Sequence, residues 1–337
     1  MTRVHRPGEP PYGRGGTFAQ LPLVLEAEEL AGADVAILGA PTDELVTNRP
    51  GARLGPLAIR NADYLWGTSR QNMDVGVDPF ETLTVVDHGD EVVPGYPELS
   101  HRAIRESVAA ILGAGTVPIV LGGDHSIAHP DVGAVAERLH PEPVGLIHFD
   151  AHADDAYEEP RLSHGTPLRL LVEEGSLSGE HIVQVGLRGY WPPPSDFEWA
   201  RSQGFRWYLM DDIYARGVEP VVDEVLQHVV GLPHVFLSVD IDVCDPAFAP
   251  GTGTPEPGGL HARELLRPCG GSPQPCPWPA SRWSRSRRRS TPRGSPPCSD
   301  TGSCSRSCPG WPSAGREDRL GRSAPSSARG ARRGCLG

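Results

Sequence analysis

The chain has 337 residues, 38% of them hydrophobic, and a formal net charge of −12 at pH 7. That length suits one large α/β domain or two smaller ones. It holds no apolar run near the roughly 18 residues a membrane helix needs. The polar, Pro- and Gly-rich stretch 1–16 lacks the apolar centre of a secretory signal, so a cytoplasmic location is expected.

The average hides a break near Arg267. Residues 1–267 carry 18 Arg and 40 acidic residues, net −22, whereas residues 268–337 carry 13 Arg and three acidic residues, net +10. Six of the seven cysteines follow Arg267, and the tail contains no Val, Ile, Phe, Tyr or Met but 14 Ser and 11 Pro. Such a segment buries too little apolar surface to offset the entropy of folding, and disorder is expected. Lysine is absent throughout, which points to a GC-rich gene.

In chain order, residues 1–33 form an N-terminal segment with a short helix predicted over Leu21–Leu30. Val35–Ala40 reads as a buried strand. It runs into a polar loop, Pro41 to Gly55, whose Gly and Pro residues mark a turn. The loop reads either as a plain connection or as one whose two arginines, Arg49 and Arg53, hold it over an acidic site. A helix is predicted from Leu57. Leu83–Val86 is a second strand, leading into Asp87-His88-Gly89-Asp90, and His101–Gly113 a helix. Val117–Leu121, Val144–Phe149, Ile182–Val185, Phe205–Met210 and Val235–Val239 complete the predicted strands, with a helix over Val218–Val230 before the last. Alternating strands and helices imply a parallel sheet covered on both faces. Ligands then bind beyond the carboxyl ends of the strands.

Three of those strand ends carry the chemistry. Gly122-Gly123-Asp124-His125-Ser126 places a histidine after a tight glycine turn. Asp150-Ala151-His152-Ala153-Asp154 puts three ligand-type side chains at alternate positions, which share one side of an extended chain. Ser238-Val239-Asp240-Ile241-Asp242 repeats the pattern and continues into a glycine-rich loop, Asp245 to Gly253. Unpaired carboxylates at a core edge are costly to desolvate. Together His125, Asp150, His152, Asp154, Asp240 and Asp242 are too many ligands for one ion and suit two. The set is too carboxylate-rich and thiolate-free for structural zinc. Carboxylate plus imidazole fits Mn²⁺ or a similar ion, and two such ions activate a shared water. His164, in Ser163-His164-Gly165-Thr166-Pro167, follows ten residues after Asp154 in a predicted loop and is read as a proton shuttle.

Gly-Gly-Asp-His-Ser, Asp-Ala-His-Ala-Asp and Ser-Val-Asp-Ile-Asp, in this order, resemble the ureohydrolase family of arginases, agmatinases and related guanidino hydrolases. The resemblance runs from about Val35 to Leu266. It implies a three-layer α/β/α fold with a central parallel sheet and a pair of Mn²⁺ ions. It implies His125, Asp150, His152, Asp154, Asp240 and Asp242 as ligands, with Asp150 and Asp240 bridging both ions. The implied reaction hydrolyses a guanidinium to urea and an amine through a metal-bridging hydroxide, with Asp154 orienting the nucleophile and His164 relaying a proton to the leaving amine. The Arg49-Pro50-Gly51-Ala52-Arg53 loop, Ser163-His164-Gly165-Thr166-Pro167 and Gly189-Tyr190-Trp191 resemble the agmatinase branch, which makes agmatine the expected substrate and guanidinobutyrate or another guanidino acid the alternative. Asp155-Ala156-Tyr157-Glu158-Glu159 replaces the Ser-Gly-Asn element of arginases. The family also implies a homo-oligomer, trimer or hexamer, and no nucleic-acid or membrane partner. Two other classes compete: a one-zinc deacetylase of related fold, and a metal-binding protein without turnover.

The family continues beyond residue 267 with a strand, carrying a glutamate that pairs with the guanidinium, and a last helix. Neither is present in 268–337. In the frame that joins the third base of each codon to the first two of the next, with GC-rich choices at open bases, Gly271 to Arg289 reads IAAALPLAGVEVVEVAPP and Pro297 to Pro312 reads LLGHRLVLEVLSGLA. The first contains an alternating strand and the second an amphipathic helix. One base lost near the codons for Arg267 and Pro268 accounts for both, and the second Glu of VEVVEV, where Ser284 meets Arg285, resembles the family's glutamate. The domain reading is therefore 1–33, a ureohydrolase domain over 34–267, and a frameshifted tail over 268–337. Two alternatives exist for the tail: a basic localisation or nucleic-acid patch at Arg285-Ser286-Arg287-Arg288-Arg289-Ser290, or metal binding by Cys298, Cys304 and Cys308, whose spacing matches no standard zinc pattern.

Overall fold

The computed structural model describes residues 16–62, 70–73, 76–157, 159–190 and 192–270. The strands are β1 (Val35–Ala40), β2 (Val85–Asp90), β3 (Val117–Gly122), β4 (Val144–Phe149), β5 (Ile182–Leu187), β6 (Arg206–Leu209) and β7 (His234–Val239). The helices are α1 (Gly55–Asn61), α2 (Pro79–Thr82), α3 (Pro97–Gly113), α4 (Ala128–Leu139), α5 (Pro167–Glu173), α6 (Pro194–Gln203), α7 (Met210–Arg216), α8 (Val218–Val229) and α9 (Ala262–Gly270). Among the described residues every pairing of these strands is parallel, in two sheets of order β2-β1-β3 and β6-β5-β4-β7. β4 and β5 are buried along their whole length. That explains their near-continuous apolar sequences: a strand covered on both faces has no solvent side to alternate towards.

One core cluster joins both sheets. Ala36 and Leu38 of β1 share it with Leu146 of β4 and Ile182 of β5, beneath Ile104 of α3, Val132 of α4, Leu168 of α5 and Ala200 of α6. The opposite face has two separate clusters. Ile147, Phe149 and Val183 pack under α7, α8 and α9 through Ile213, Val221, Val225 and Leu265. Ile37 packs under Ala19 and Leu21 of the N-terminal segment, with Phe80 of α2 beside it. The three-layer α/β/α architecture expected from sequence is present in this sense.

The element boundaries differ in physically intelligible ways. The Leu21–Leu30 helix is replaced by two 3₁₀ turns, Phe18–Gln20 and Ala27–Leu30, around a segment that lies beside β2. β2 runs through Asp87-His88-Gly89-Asp90 instead of stopping at Val86, where Arg60 pairs with both Asp87 and Asp90 and lowers the cost of their burial. α3 begins a turn early, with Pro97 in its first turn, where a missing N–H costs nothing. Among the described residues no helix is long and apolar enough to cross a membrane. The tail 271–337, including its frameshift, basic-patch and cysteine readings, lies outside the described residues.

Candidate metal centre and active site

The parallel strands bring their carboxyl ends to one side, and three of the following turns meet there. Each turn is set by its own aspartate. Asp124 accepts from the Ser126 amide at 2.9 Å and the Leu45 amide at 3.2 Å, fixing the 3₁₀ turn His125–Ile127. Asp150 accepts from the His152 amide at 2.6 Å and Asp240 from the Asp242 amide at 3.0 Å. Gly123 is required because a Cβ there would overlap the Thr42 carbonyl oxygen, which the Asp124 amide approaches to 2.8 Å. Asp154 adopts φ 50°, an uncommon value for a residue with a side chain. Its carbonyl accepts from Leu168, tying the turn to α5.

The side chains converge. His125 Nδ1 lies 2.8 Å from Asp150 Oδ2, 2.8 Å from Asp154 Oδ2 and 3.5 Å from Asp240 Oδ2. His152 Nδ1 lies 3.1 Å from Asp242 Oδ2 and 3.5 Å from Asp150 Oδ1. Two ligand-type groups result: His125, His148, Asp150 and Asp154, and Asp150, His152 and Asp242, with Asp150 common to both. Asp240 enters from β7 beside His125. His148, fully buried in β4, is the member that the sequence reading left out. Its Nε2 is 3.0 Å from Asp150 Oδ2 and its ring stacks on His125 at 4.9 Å. The signal was present, since 148, 150, 152 and 154 continue one alternation, but it was masked by the apolar run of the strand. Gln184, 3.3 Å from His148 Nδ1, donates to the Ala153 carbonyl at 2.6 Å and holds the layer behind.

The electrostatics are those of a cation site. Burial pushes Asp240 up to about 8 and Asp242 up to about 6, and neighbouring carboxylates add to both shifts. Burial opposes charge on Asp150 as well, but His148, His125 and His152 outweigh it and hold the carboxyl well below its ordinary value. His152 rises to about 11 because its two carboxylates overcome its desolvation. His125 Nδ1, His148 Nε2, Asp150 Oδ2 and Asp154 Oδ2 are buried without any hydrogen-bond partner despite separations near 3 Å. Acceptors so placed aim at a common point rather than at each other. The residues therefore fit divalent cations, and the sharing of Asp150 fits two of them.

Other residues frame the site. His164 Nε2 meets Thr47, 2.8 Å from Oγ1 and 3.3 Å from the amide, in the loop after β1. No recorded hydrogen bond or ion pair links it to the six ligand-type side chains. Arg53 turns to Asp43, which also accepts from the Gly51 amide at 2.7 Å, so this arginine folds its own loop rather than reaching an acidic site. Arg188, unnoticed in the sequence, donates to the carbonyls of Asp242, Cys244, Glu256 and Pro257, among others, and straps the loop after β7 to β5. Of Gly189-Tyr190-Trp191, Trp191 lies outside the described residues.

A parallel α/β sheet whose strand ends gather carboxylates and imidazoles around buried, unpartnered atoms is the arrangement of a metal-binding α/β enzyme. The comparisons with known proteins narrow this. The family described as Arginase family matches residues 33–271. The chain is 43% identical to human mitochondrial guanidino acid hydrolase over 246 residues, 71% of this chain and 68% of that protein. It is 43% identical to chicken mitochondrial agmatinase over 262 residues, 76% and 74% of the two chains. It is 41% identical to Pseudomonas aeruginosa guanidinobutyrase over 268 residues, 78% and 82%. The structure resembles proclavaminate amidino hydrolase from Streptomyces clavuligerus with a TM-score of 0.70 at 38% identity, covering 77% of this chain and 84% of that one. It resembles a Trypanosoma cruzi formiminoglutamase described with Mn²⁺ with a TM-score of 0.65 at 27% identity, covering 75% and 84%. The chain belongs to the arginase family and is a hydrolase of that family.

Proposed function

We propose that this protein is a binuclear manganese hydrolase of the agmatinase type, cleaving agmatine to urea and an amine. The observation that carries the reading is Asp150, shared between two ligand groups at the strand ends. His125, Asp150, His152, Asp154, Asp240 and Asp242 would hold the ions. Bound there, a Mn²⁺ pair supplies Lewis acidity and a water acidic enough to ionise near neutral pH. The acidic pocket draws in a cationic guanidinium. Asp154, fixed by its turn, orients the nucleophile. His164, held by Thr47 at the mouth, passes a proton to the leaving nitrogen. A guanidino-acid hydrolase is the second reading, favoured by two relatives of similar identity that are named for such substrates. A metal-binding protein without turnover is the reading from another class.

The chain as written is impaired in this proposal, because the glutamate that pairs with the guanidinium is encoded only in the shifted frame. The expected result is about two Mn²⁺ bound per chain with weak urea release. A gene with one base restored between the codons for Arg267 and Pro268 is expected to give turnover higher by about two orders of magnitude, the scale of losing one partner of a buried charge pair. Agmatine, guanidinobutyrate and arginine compared on the restored protein decide the substrate. Brisk urea release by the 337-residue product would overturn the impairment, and one metal per chain would overturn the binuclear site.

A further inference from the structure

The first ligand-type group holds two imidazoles, His125 and His148, and they are not equivalent. The rings lie face to face, their centroids 4.9 Å apart and their planes 20° from parallel. Each turns one nitrogen to Asp150 Oδ2, His125 Nδ1 at 2.8 Å and His148 Nε2 at 3.0 Å. A neutral imidazole carries one proton, and a ring nitrogen can hold a cation only when that proton sits on the other nitrogen. The group behind each ring therefore decides which of the two can be a ligand.

Behind His125 stands Ser238, with Oγ 2.8 Å from Nε2. A hydroxyl accepts as readily as it donates, so Nε2 can keep the proton and leave Nδ1 free. Behind His148 stands Gln184, its register partner on β5 and buried with it. One atom of the Gln184 amide lies 2.6 Å from the Ala153 carbonyl oxygen and 3.3 Å from His148 Nδ1. A carbonyl oxygen only accepts, so this atom must be the amide nitrogen. One of its two hydrogens goes to Ala153 and the other faces Nδ1, which therefore presents a lone pair. The proton of His148 is then on Nε2, pointing to the Asp150 side. Nε2 and Asp150 Oδ2 stand at a hydrogen-bond distance that lacks only the angle, since both are buried without a recorded partner. Among the four atoms of the group that face a common point, His148 Nε2 is the donor and the other three are acceptors.

We propose that His148 is a positioning residue and not a metal ligand: Gln184 locks it in the Nε2–H tautomer, from which it donates to Asp150 Oδ2 and sets the carboxylate shared by the two ligand-type groups. Through Ala153 the same glutamine also holds the backbone between His152 and Asp154. One side chain of β5 thus orients both ends of the ligand-bearing turn. Hydrogen bonds of this kind behind a metal ligand fix its orientation and typically carry about 10–100-fold in metal affinity. The inference deepens the metal centre proposed above and rests on it, whereas the tautomer is a property of the metal-free chain.

The test reads the tautomer directly. The full chain, labelled with ¹⁵N-histidine, is followed by long-range proton–nitrogen correlation, first without metal and then with ¹¹³Cd²⁺, and His148→Gln identifies the ring. His148 is expected to show a protonated, pyrrole-type Nε2 and a pyridine-type Nδ1 in both states. Cadmium coupling is expected at His125 and His152 and not at His148. A pyridine-type Nε2, or cadmium coupling to it, overturns the proposal. Gln184→Glu, which puts an acceptor behind the ring, should move the proton to Nδ1, and an unchanged tautomer overturns the part given to Gln184. The unsubstituted chain already decides the His148 tautomer, so a variant that fails to fold leaves the test intact. Chelator competition for Mn²⁺ gives a second reading. His148→Leu should still bind about two ions per chain, about 10–100-fold more weakly. His148→Gln, which keeps an N–H donor, should stay close to the parent. Loss of an ion in His148→Leu, or equal weakening in both variants, overturns the donor role. Absence of cadmium coupling at all three histidines, with the tautomer as expected, sinks the metal centre and still supports the Gln184 lock.

Discussion

Asp150 is the residue on which both halves of the centre depend. It touches His125, His148 and His152, whereas Asp242 touches only the His152 side. Asp150→Ala is therefore expected to lower bound Mn²⁺ from about two per chain to nearly none, and Asp242→Ala to about one, measured by metal analysis after equilibrium dialysis. Equal losses in the two variants would mean that Asp150 is not shared. A second residue-scale expectation concerns acid stability. His101 is buried beside Ser126 Oγ at 3.0 Å, and burial lowers its pKa to about 4. The unfolded chain binds this proton at its ordinary value of 6.5, so between pH 6.5 and 4 the unfolded state carries more protons. Stability is then full above the unfolded value and falls on acidification through that window, by up to about 3 kcal/mol. His101→Gln should flatten this part of the pH–stability curve, followed by denaturant unfolding.

At the scale of elements, the site depends on turns that approach one another too closely to vary. A methyl group at Gly123 would overlap the Thr42 carbonyl, so Gly123→Ala must push the loop after β1 away from the turn that carries His125. Weaker metal binding, by about tenfold or more, is expected together with a loss of about 1–3 kcal/mol from overpacking. Arg188 acts over a longer span. Its guanidinium holds the carbonyls of the 242–257 loop, and Arg188→Met leaves those acceptors without a donor. The expected cost is about 2–4 kcal/mol, read from the urea midpoint at unchanged slope. Both substitutions lie outside the ligand set, which separates the scaffold's contribution from the chemistry.

For the whole molecule, the end strands β3 and β7 of the two sheets dominate. Among the described residues Ile119, Leu237 and Val239 are exposed on β3 and β7, each of which has one neighbour strand, a kind of surface on which dye binding and self-association are expected. The 337-residue product is expected to bind an anilinonaphthalene dye and to associate with rising concentration, and the base-restored product to do neither. The mixed charge of the chain, strongly negative to Arg267 and positive after it, adds an attraction between copies that salt should weaken. Fluorescence titration and sedimentation at two ionic strengths check this.

The sequence by itself determined the parallel α/β class, the three strand ends that bear Asp and His, and the family. Its signals were local: alternation of Asp and His, glycine pairs after apolar runs, and order along the chain. β1 and β4 were legible to the residue because fully buried strands are short apolar runs with sharp polar ends. β2 was misjudged at its end, because the cost of extending a strand through two aspartates is offset by Arg60, 27 residues upstream of the first. His148 and Arg188 were invisible for a similar reason. One is hidden in an apolar strand and defined by what stacks on it. The other is an ordinary arginine until a distant loop folds over it. Only the tertiary structure brought His148 into the group with His125, Asp150 and Asp154 and showed Asp150 common to both ligand-type groups. Adjacency across a sheet is set by crossovers and packing, which no stretch of residues carries alone.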